Sequence, residues 1–167
     1  MKKGGAALDV KWYRYDTIDS TSSEARRLLQ SGALTPPAVV LAQAQTAGRG
    51  RQGKSFYSPG KTGIYMSIVV DFPQEASSAA LLTIRAGVAV SDAIREETGI
   101  ETGIKWVNDI FLDGRKVCGI LTESVLQEGK RRAILGIGIN VTTESFPPEL
   151  RSTAGALGML GAERMDS

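Results

Sequence analysis

Gln45-Thr46-Ala47-Gly48-Arg49-Gly50-Arg51-Gln52-Gly53-Lys54-Ser55-Phe56-Tyr57-Ser58-Pro59-Gly60-Lys61-Thr62-Gly63 decides between two folds. From Gly48 to Ser55 it satisfies G-x-x-x-x-G-K-[ST], the phosphate loop of nucleotide-binding α/β proteins. That loop requires a helix starting at its Lys-Ser/Thr end, with the helix N-terminus facing the phosphates. Here Pro59, Gly60 and Gly63 punctuate the chain, and no apolar face of helical period develops. Strand-like residues resume at Ile64, too soon for the roughly dozen residues that a parallel crossover needs. Ile68-Val69-Val70-Asp71 has the form of an acid-ended strand but arrives too early to rescue the α/β reading. The stretch is therefore a glycine-rich basic loop between two strands. Its glycines permit sharp turns and close backbone approach. Consecutive N–H groups in such a loop can cradle an anion. Arg49 and Arg51 add planar donor forks suited to carboxylate or phosphate. A solvated basic turn is the competing reading.

The flanking strands are Ala38–Gln43, after Pro36-Pro37, and Ile64–Phe72. Upstream, Val10–Ile18 alternates aromatic and β-branched residues and reads as a strand. Thr21-Ser22-Ser23-Glu24 fits a capping box with Thr21 as N-cap, opening a helix that buries Ala25, Leu28 and Leu29 and stops at Gly32. Capping alone accounts for Ser20, Thr21 and Ser22; hydroxyls meeting a polar ligand at a helix N-terminus is the functional alternative. Downstream, a long helix is expected from about Ser77 to Glu97, with Leu81, Leu82, Ile84, Val88, Ala89 and Ile94 on a broad buried face. Hairpins follow. Gly103–Trp106 and Ile110-Phe111-Leu112 are strands around Val107-Asn108-Asp109, and Asp113-Gly114 signals a type I′ turn. Lys116–Ser124 and Arg132–Val141 are the last strands, and Thr153–Ser167 has the small-residue pattern of a helix that begins without a finish. One domain is expected: α+β, a mixed and largely antiparallel sheet with helices on one side.

The 167 residues carry 20 basic and 18 acidic side chains, a net charge of +2, which is no footprint of general nucleic-acid binding. There is no histidine and one cysteine, so a Ser-His-Asp triad, a Cys-His pair, histidine metal sites and an intrachain disulfide are excluded within this sequence. Cys118, between Val117 and Gly119, reads as a buried structural thiol. No signal peptide or membrane-length run is present, and the cytoplasm is the expected compartment. The polar candidates are Gln45, Arg49, Arg51, Lys105, Asn108, Asp109, Lys116 and Asn140, all at strand ends and turns. Asn108-Asp109 could be turn formers and Lys116 a solvated lysine. If the sheet brings them together, chemistry without histidine or a reactive thiol must rest on positioning and charge stabilisation, as phosphoryl and nucleotidyl transfer can.

Five linked segments carry a resemblance: Asp19-Ser20-Thr21; Gln45 through Gly53; Lys105-Trp106-Val107-Asn108-Asp109-Ile110; Arg115-Lys116 through Gly119-Ile120-Leu121-x-Glu123; and Gly136-Ile137-Gly138-Ile139-Asn140. In order and spacing, across about Tyr15 to Val141, the sequence resembles the biotin protein ligase (biotin–[acetyl-CoA-carboxylase] ligase) family. The resemblance implies a fold like that of class II aminoacyl-tRNA synthetases and biotin synthetase. It implies activation of biotin by ATP to biotinyl-5′-AMP, then transfer to a lysine of the biotin carboxyl carrier protein of acetyl-CoA carboxylase. It implies that Ser20, Thr21, Ser22 and Gln45 hold biotin, and that Arg49, Gly50 and Arg51 order over biotin and the phosphates. Lys116 would stabilise charge near the carboxylate and α-phosphate. Phe56, Asn108 and Asn140 would lie on the nucleotide side. Mg²⁺ would be held mainly through ATP phosphates, with Asp109 as the candidate protein ligand and as an aid to deprotonating the acceptor lysine. Ser22 stands where asparagine is common in the family, and Phe56 where tryptophan commonly stacks on adenine.

No helix-turn-helix precedes Trp12, so DNA is not an expected partner, nor is a membrane; a homodimer is compatible with the resemblance. The expected unit is a catalytic domain spanning residues 1–167 without its C-terminal end and the small C-terminal β-barrel usual in the family. The alternatives are a lipoyl or octanoyl ligase or transferase of the same fold, a non-catalytic biotin-binding module and, last, a P-loop NTPase.

Overall fold

The computed structural model describes residues 9–72 and 79–159. Among the described residues seven strands make one sheet: β1 (Lys11–Ile18), β2 (Ala38–Gln45), β3 (Gly63–Asp71), β4 (Gly103–Lys105), β5 (Asp109–Leu112), β6 (Arg115–Gln127) and β7 (Lys130–Asn140). Their order is β1-β2-β3-β7-β6-β5-β4. β1 and β2 run parallel, joined through α1 (Thr21–Gln30), and every other neighbouring pair is antiparallel. The sheet is thus mixed and largely antiparallel, as expected of an α+β domain. The antiparallel half is folded by two tight turns. Asp113 and Gly114 have φ of 48° and 74°, and Glu128 and Gly129 have φ of 49° and 74°. Positive φ at both central residues is the type I′ geometry, whose twist matches that of paired strands.

The helices divide between the two faces of the sheet, where one side was expected. α1 covers the face that carries Val40, Val69, Val125 and Ile134, into which it buries Ala25 and Leu29. The second helix, α2 (Ala79–Thr98), covers the opposite face, pressing Val90 and Ile94 onto Ile120, Ile137 and Ile139. Strand alternation explains this: Ile134 and Ile137 lie an odd number of residues apart on β7 and point to opposite sides. Both faces of β7 are therefore apolar, and each needs a helix.

Two helix details differ from expectation. The N-cap of α1 is Ser20, whose Oγ accepts from the Ser23 amide, so the helix starts one residue earlier than a Thr21 cap would place it. Glu24 does not close a capping box; its carboxylate binds Arg27 and the Tyr15 hydroxyl. In α2 the buried line is Thr83, Gly87, Val90 and Ile94, whereas Val88 is 47% exposed and Ala89 is also exposed. On this stripe Gly87 faces Ile120 and the Thr83 hydroxyl donates to Thr122 across to β6. The expected helix start at Ser77 and the end of the 153–167 segment lie outside the described residues.

The α1 side of β7 ends in a glycine ladder. A Cβ on Gly136 would stand 2.6 Å from the Ser22 Oγ, and one on Gly138 would stand 2.5 Å from the Phe56 ring. The Gly-x-Gly-x-Asn sequence is thus a bare strip of sheet onto which the start of α1 and the basic loop settle.

Candidate functional site

The loop after β2 folds as a hairpin. The Phe56 amide donates to the Gly48 carbonyl at 2.8 Å and the Gly50 amide to the Lys54 carbonyl at 2.7 Å. A 3₁₀ turn, Arg51–Gly53, forms the tip. Its base is fixed by the Thr46 and Ala47 amides, which donate to the carbonyls of Ile18 and Asp19. Consequently the basic loop is a built element held beside the N-terminus of α1, and no helix follows it. The P-loop reading fails on this geometry as well.

Beneath the hairpin runs a continuous polar chain. Ser67 Oγ donates to Thr21 Oγ1 at 2.9 Å, so the 2.9 Å contact between Ser22 and Ser67 has Ser22 as donor. Thr21 Oγ1 and the Thr21 amide donate to Gln45 Oε1 at 3.2 and 2.8 Å. Gln45 Nε2 donates to Ser58 Oγ at 2.8 Å, and Ser58 Oγ donates to the Phe56 carbonyl at 3.0 Å. Four sequence candidates (Ser20, Thr21, Ser22 and Gln45) therefore gather at one spot. Ser20, Thr21, Ser22, Ser58 and Ser67 are buried. Such hydroxyls and a carboxamide offer a directional set of donors and acceptors to a neutral polar ring.

A second chain crosses the other side of Phe56. Arg51 Nη1 donates to Asn108 Oδ1 at 3.1 Å, Asn108 Nδ2 donates to Asp109 Oδ1 at 2.9 Å, and Lys116 Nζ lies 2.7 Å from the same Asp109 oxygen. These residues line a cavity of about 600 Å³ together with Phe56, Tyr57, Lys105, Asn140, Phe146 and the 150–154 segment. Asn140 donates through Nδ2 to the Gly155 carbonyl at 3.0 Å, while its buried Oδ1 has no hydrogen-bond partner among the described residues. Lys116 is gripped through its backbone: its amide donates to the Thr153 carbonyl and its carbonyl accepts from Gly155. The Phe56 ring lies on Gly138, beside Gly119, with Lys116 Nζ 6.0 Å from its centroid. On the sheet it lies between Ser22, which covers Gly136, and Lys116, which covers Gly119, and it lines the cationic cavity.

Among the described residues, no group of three or more His, Cys, Asp or Glu side chains gathers that could hold a metal. The set that is present, one carboxylate and two asparagine carbonyls at the cavity, fits a Mg²⁺ ion carried mostly by substrate phosphates. Cys118 is buried, and burial pushes its thiol up to about 12, so it is no nucleophile. At the start of α1 the paired guanidinium of Arg27 holds the Asp19 carboxyl down at about 2.

Of the candidates, Arg51, Asn108, Asp109, Lys116, Asn140 and Phe56 converge on the cavity. Arg49 is not among the residues lining it; its guanidinium is paired with Glu123. Lys105 borders the cavity, with its Nζ 5.3 Å from the Phe111 centroid. Sequence reasoning missed Ser58, Ser67, Tyr57, Phe146 and the Thr153–Gly155 clamp. Ser58 lies within the stretch quoted at the outset and had a signal; the clamp had none, since it depends on a parallel bridge between Lys116 and Ala154.

The fold is similar to that of solved biotin protein ligases. The Aquifex aeolicus biotin protein ligase in complex with biotin and ATP superposes with a TM-score of 0.76 at 32% identity, covering 90% of this chain and 61% of that one. Residues 15–140 match the family described as biotin/lipoate A/B protein ligase, and the chain belongs to that family. It is 40% identical over 157 residues to the bifunctional ligase/repressor BirA of Bacillus subtilis, a match covering 91% of this chain and 47% of the relative. It is 35% identical over 164 residues to the biotin–[acetyl-CoA-carboxylase] ligase of Mycobacterium tuberculosis, covering 93% of this chain and 59% of that protein. The chain thus spans about half the length of the curated relatives it matches. No helix among the described residues is long and apolar enough to cross a membrane.

Proposed function

We propose that this chain is the catalytic portion of an ATP-dependent biotin protein ligase. The carrying observation is the Arg51–Asn108–Asp109–Lys116 chain beside the Ser22–Ser67–Thr21–Gln45 chain, with the Phe56 ring between them. The hydroxyl chain holds the ureido ring of biotin, whose carboxylate then reaches past Phe56 to the cavity that receives ATP. That carboxylate attacks the α-phosphorus, the bond to pyrophosphate breaks, and biotinyl-5′-AMP forms. No protein nucleophile is needed. Arg51 and Lys116 donate to the oxygens on which charge grows, the kind of preorganised stabilisation that dominates such steps. Asn140 and Asn108 meet the adenylate, and Asp109 would be the protein group nearest a Mg²⁺ ion brought in on the phosphates, whose charge it would help neutralise. In the second step the amine of a carrier-protein lysine attacks the mixed anhydride, AMP leaves, and Asp109 helps the amine lose its proton. The carrier is the biotin carboxyl carrier protein of acetyl-CoA carboxylase, and the cytoplasm is the compartment.

Calorimetric titration of biotin, alone and with ATP and Mg²⁺, tests the substrate. Saturable biotin binding that lipoate does not compete away supports the reading. Binding of lipoate in preference to biotin would move the chain to the lipoyl branch of its family.

A further inference from the structure

Arg49 and Glu123 belong to two of the motifs quoted above, yet the two chains of contacts leave both unused. They meet each other. Glu123, on β6, accepts from Arg49 Nη1 through Oε2 at 3.1 Å and from Arg49 Nη2 through Oε1 at 2.9 Å. The same Oε1 accepts from Arg26 Nη2, on α1, at 3.1 Å. The carboxylate side chain is 15% exposed, against 42% for Arg49 and 33% for Arg26. One buried-side carboxylate thus joins the sheet, the helix that opens with Ser20 and the basic hairpin.

We propose that Glu123 is a positioning residue of the ligase site, and that Arg49 is the strut it holds rather than a cation that touches substrate. The fork geometry is the strong form of ion pairing, two parallel charge-assisted bonds in a fixed plane. Low exposure of the carboxylate lifts the pair above ordinary surface pairs. The hairpin closes on itself through backbone bonds, but its seating across the pocket uses side chains: Arg49 on Glu123 and Arg51 on Asn108. Arg51 belongs to the reaction and must be free to turn to phosphate. Arg49 then keeps the hairpin in place while Arg51 moves. Loss of Glu123 does more than delete a contact. It leaves the Arg26 and Arg49 guanidiniums facing each other unneutralised, so attraction between α1 and the hairpin becomes repulsion. The hairpin carries Ser58 and Phe56, which border the biotin pocket, so its displacement weakens biotin binding more than turnover.

The kinetic part of the test rests on the ligase reading; the structural part does not. The full 167-residue chain is compared with Glu123→Gln, Arg49→Met and the double variant. Biotin KM and kcat for adenylate formation are measured, together with the rate of tryptic cleavage after Arg51 and Lys54, followed by mass. Each single change should raise biotin KM several-fold with kcat nearly unchanged and should speed cleavage at the hairpin tip. The double variant should be no worse than the worse single one, because both changes break one link. KM penalties that multiply in the double variant would make Arg49 an independent ligand contact and overturn the proposal, as would an unaltered cleavage rate in Glu123→Gln. If the unchanged chain shows no biotin-dependent turnover, the ligase reading falls, and the cleavage rates alone decide the strut.

Discussion

Lys116 Nζ lies 2.7 Å from Asp109 Oδ1, on the floor of the cavity that Arg51 overhangs. The lysine is held by the carboxylate in front of it and by the Thr153–Gly155 clamp on its backbone, which in the proposed reaction keeps it in reach of an incoming phosphate. Lys116→Ala should lower the rate of biotinyl-adenylate formation by about 10²–10³-fold, the usual consequence of losing one donor to developing charge. Asp109→Asn should harm transfer to the acceptor lysine more than adenylate formation. Single-turnover assays of the two steps check both statements.

The glycines of the site separate stability from function. A Cβ on Gly48 would meet the Phe56 carbonyl oxygen at 2.3 Å, and that oxygen is part of the hairpin backbone. Gly48→Ala should therefore cost about 1–3 kcal/mol, as overpacking does. A Cβ on Gly138 meets only the Phe56 ring among its nearest contacts, at 2.5 to 2.9 Å, and a ring can swing away. Gly138→Ala should shift stability by less than about 1 kcal/mol and still weaken biotin binding. Thermal denaturation beside binding titration distinguishes the two.

Ser67 is fully buried and both accepts from Ser22 and donates to Thr21. Ser67→Ala leaves the Thr21 and Ser22 hydroxyls short of a partner, at a cost of about 1–3 kcal/mol. Urea denaturation should show that loss as a lower midpoint with an unchanged slope.

Asp19 supplies a pH signature. Two hydrogen bonds from Arg27 hold its carboxyl at about 2, below its ordinary 3.8. A carboxyl depressed in the folded state adds stability above its unfolded pKa and loses it as pH falls toward the folded one. The contribution should thus be complete above pH 3.8 and fade between 3.8 and about 2. It should be modest, because the side chain is 43% exposed. Asp19→Asn should be less stable than the parent at neutral pH, and the gap should close across that acid window in pH-resolved melts.

Much of this was legible in the residues. The Asp113-Gly114 turn, the strand alternation of β1 and β7 and the refusal of the Gly48–Ser55 letters to be followed by a helix led to the α+β sheet. The site motifs were legible as types of chemistry, since Gln45, Arg51, Asn108, Asp109 and Lys116 are polar at strand ends. What stayed hidden depends on distance in the chain. The division of the helices between two faces follows from which side of β7 each strand partner presents. The face of α2 was misjudged because hydrophobicity alone favours Val88, whereas Gly87 and Thr83 fit closer to the sheet. The pairing of Arg49 with Glu123 spans 74 residues and has no local mark.

Pyrophosphate release is the measurement to make first, with ATP and Mg²⁺ present and biotin added or withheld. The ligase reading requires release that depends on biotin, yields biotinyl-5′-AMP and disappears in Lys116→Ala. Saturable biotin binding without any biotin-dependent pyrophosphate would contradict it and leave the chain a biotin-binding module.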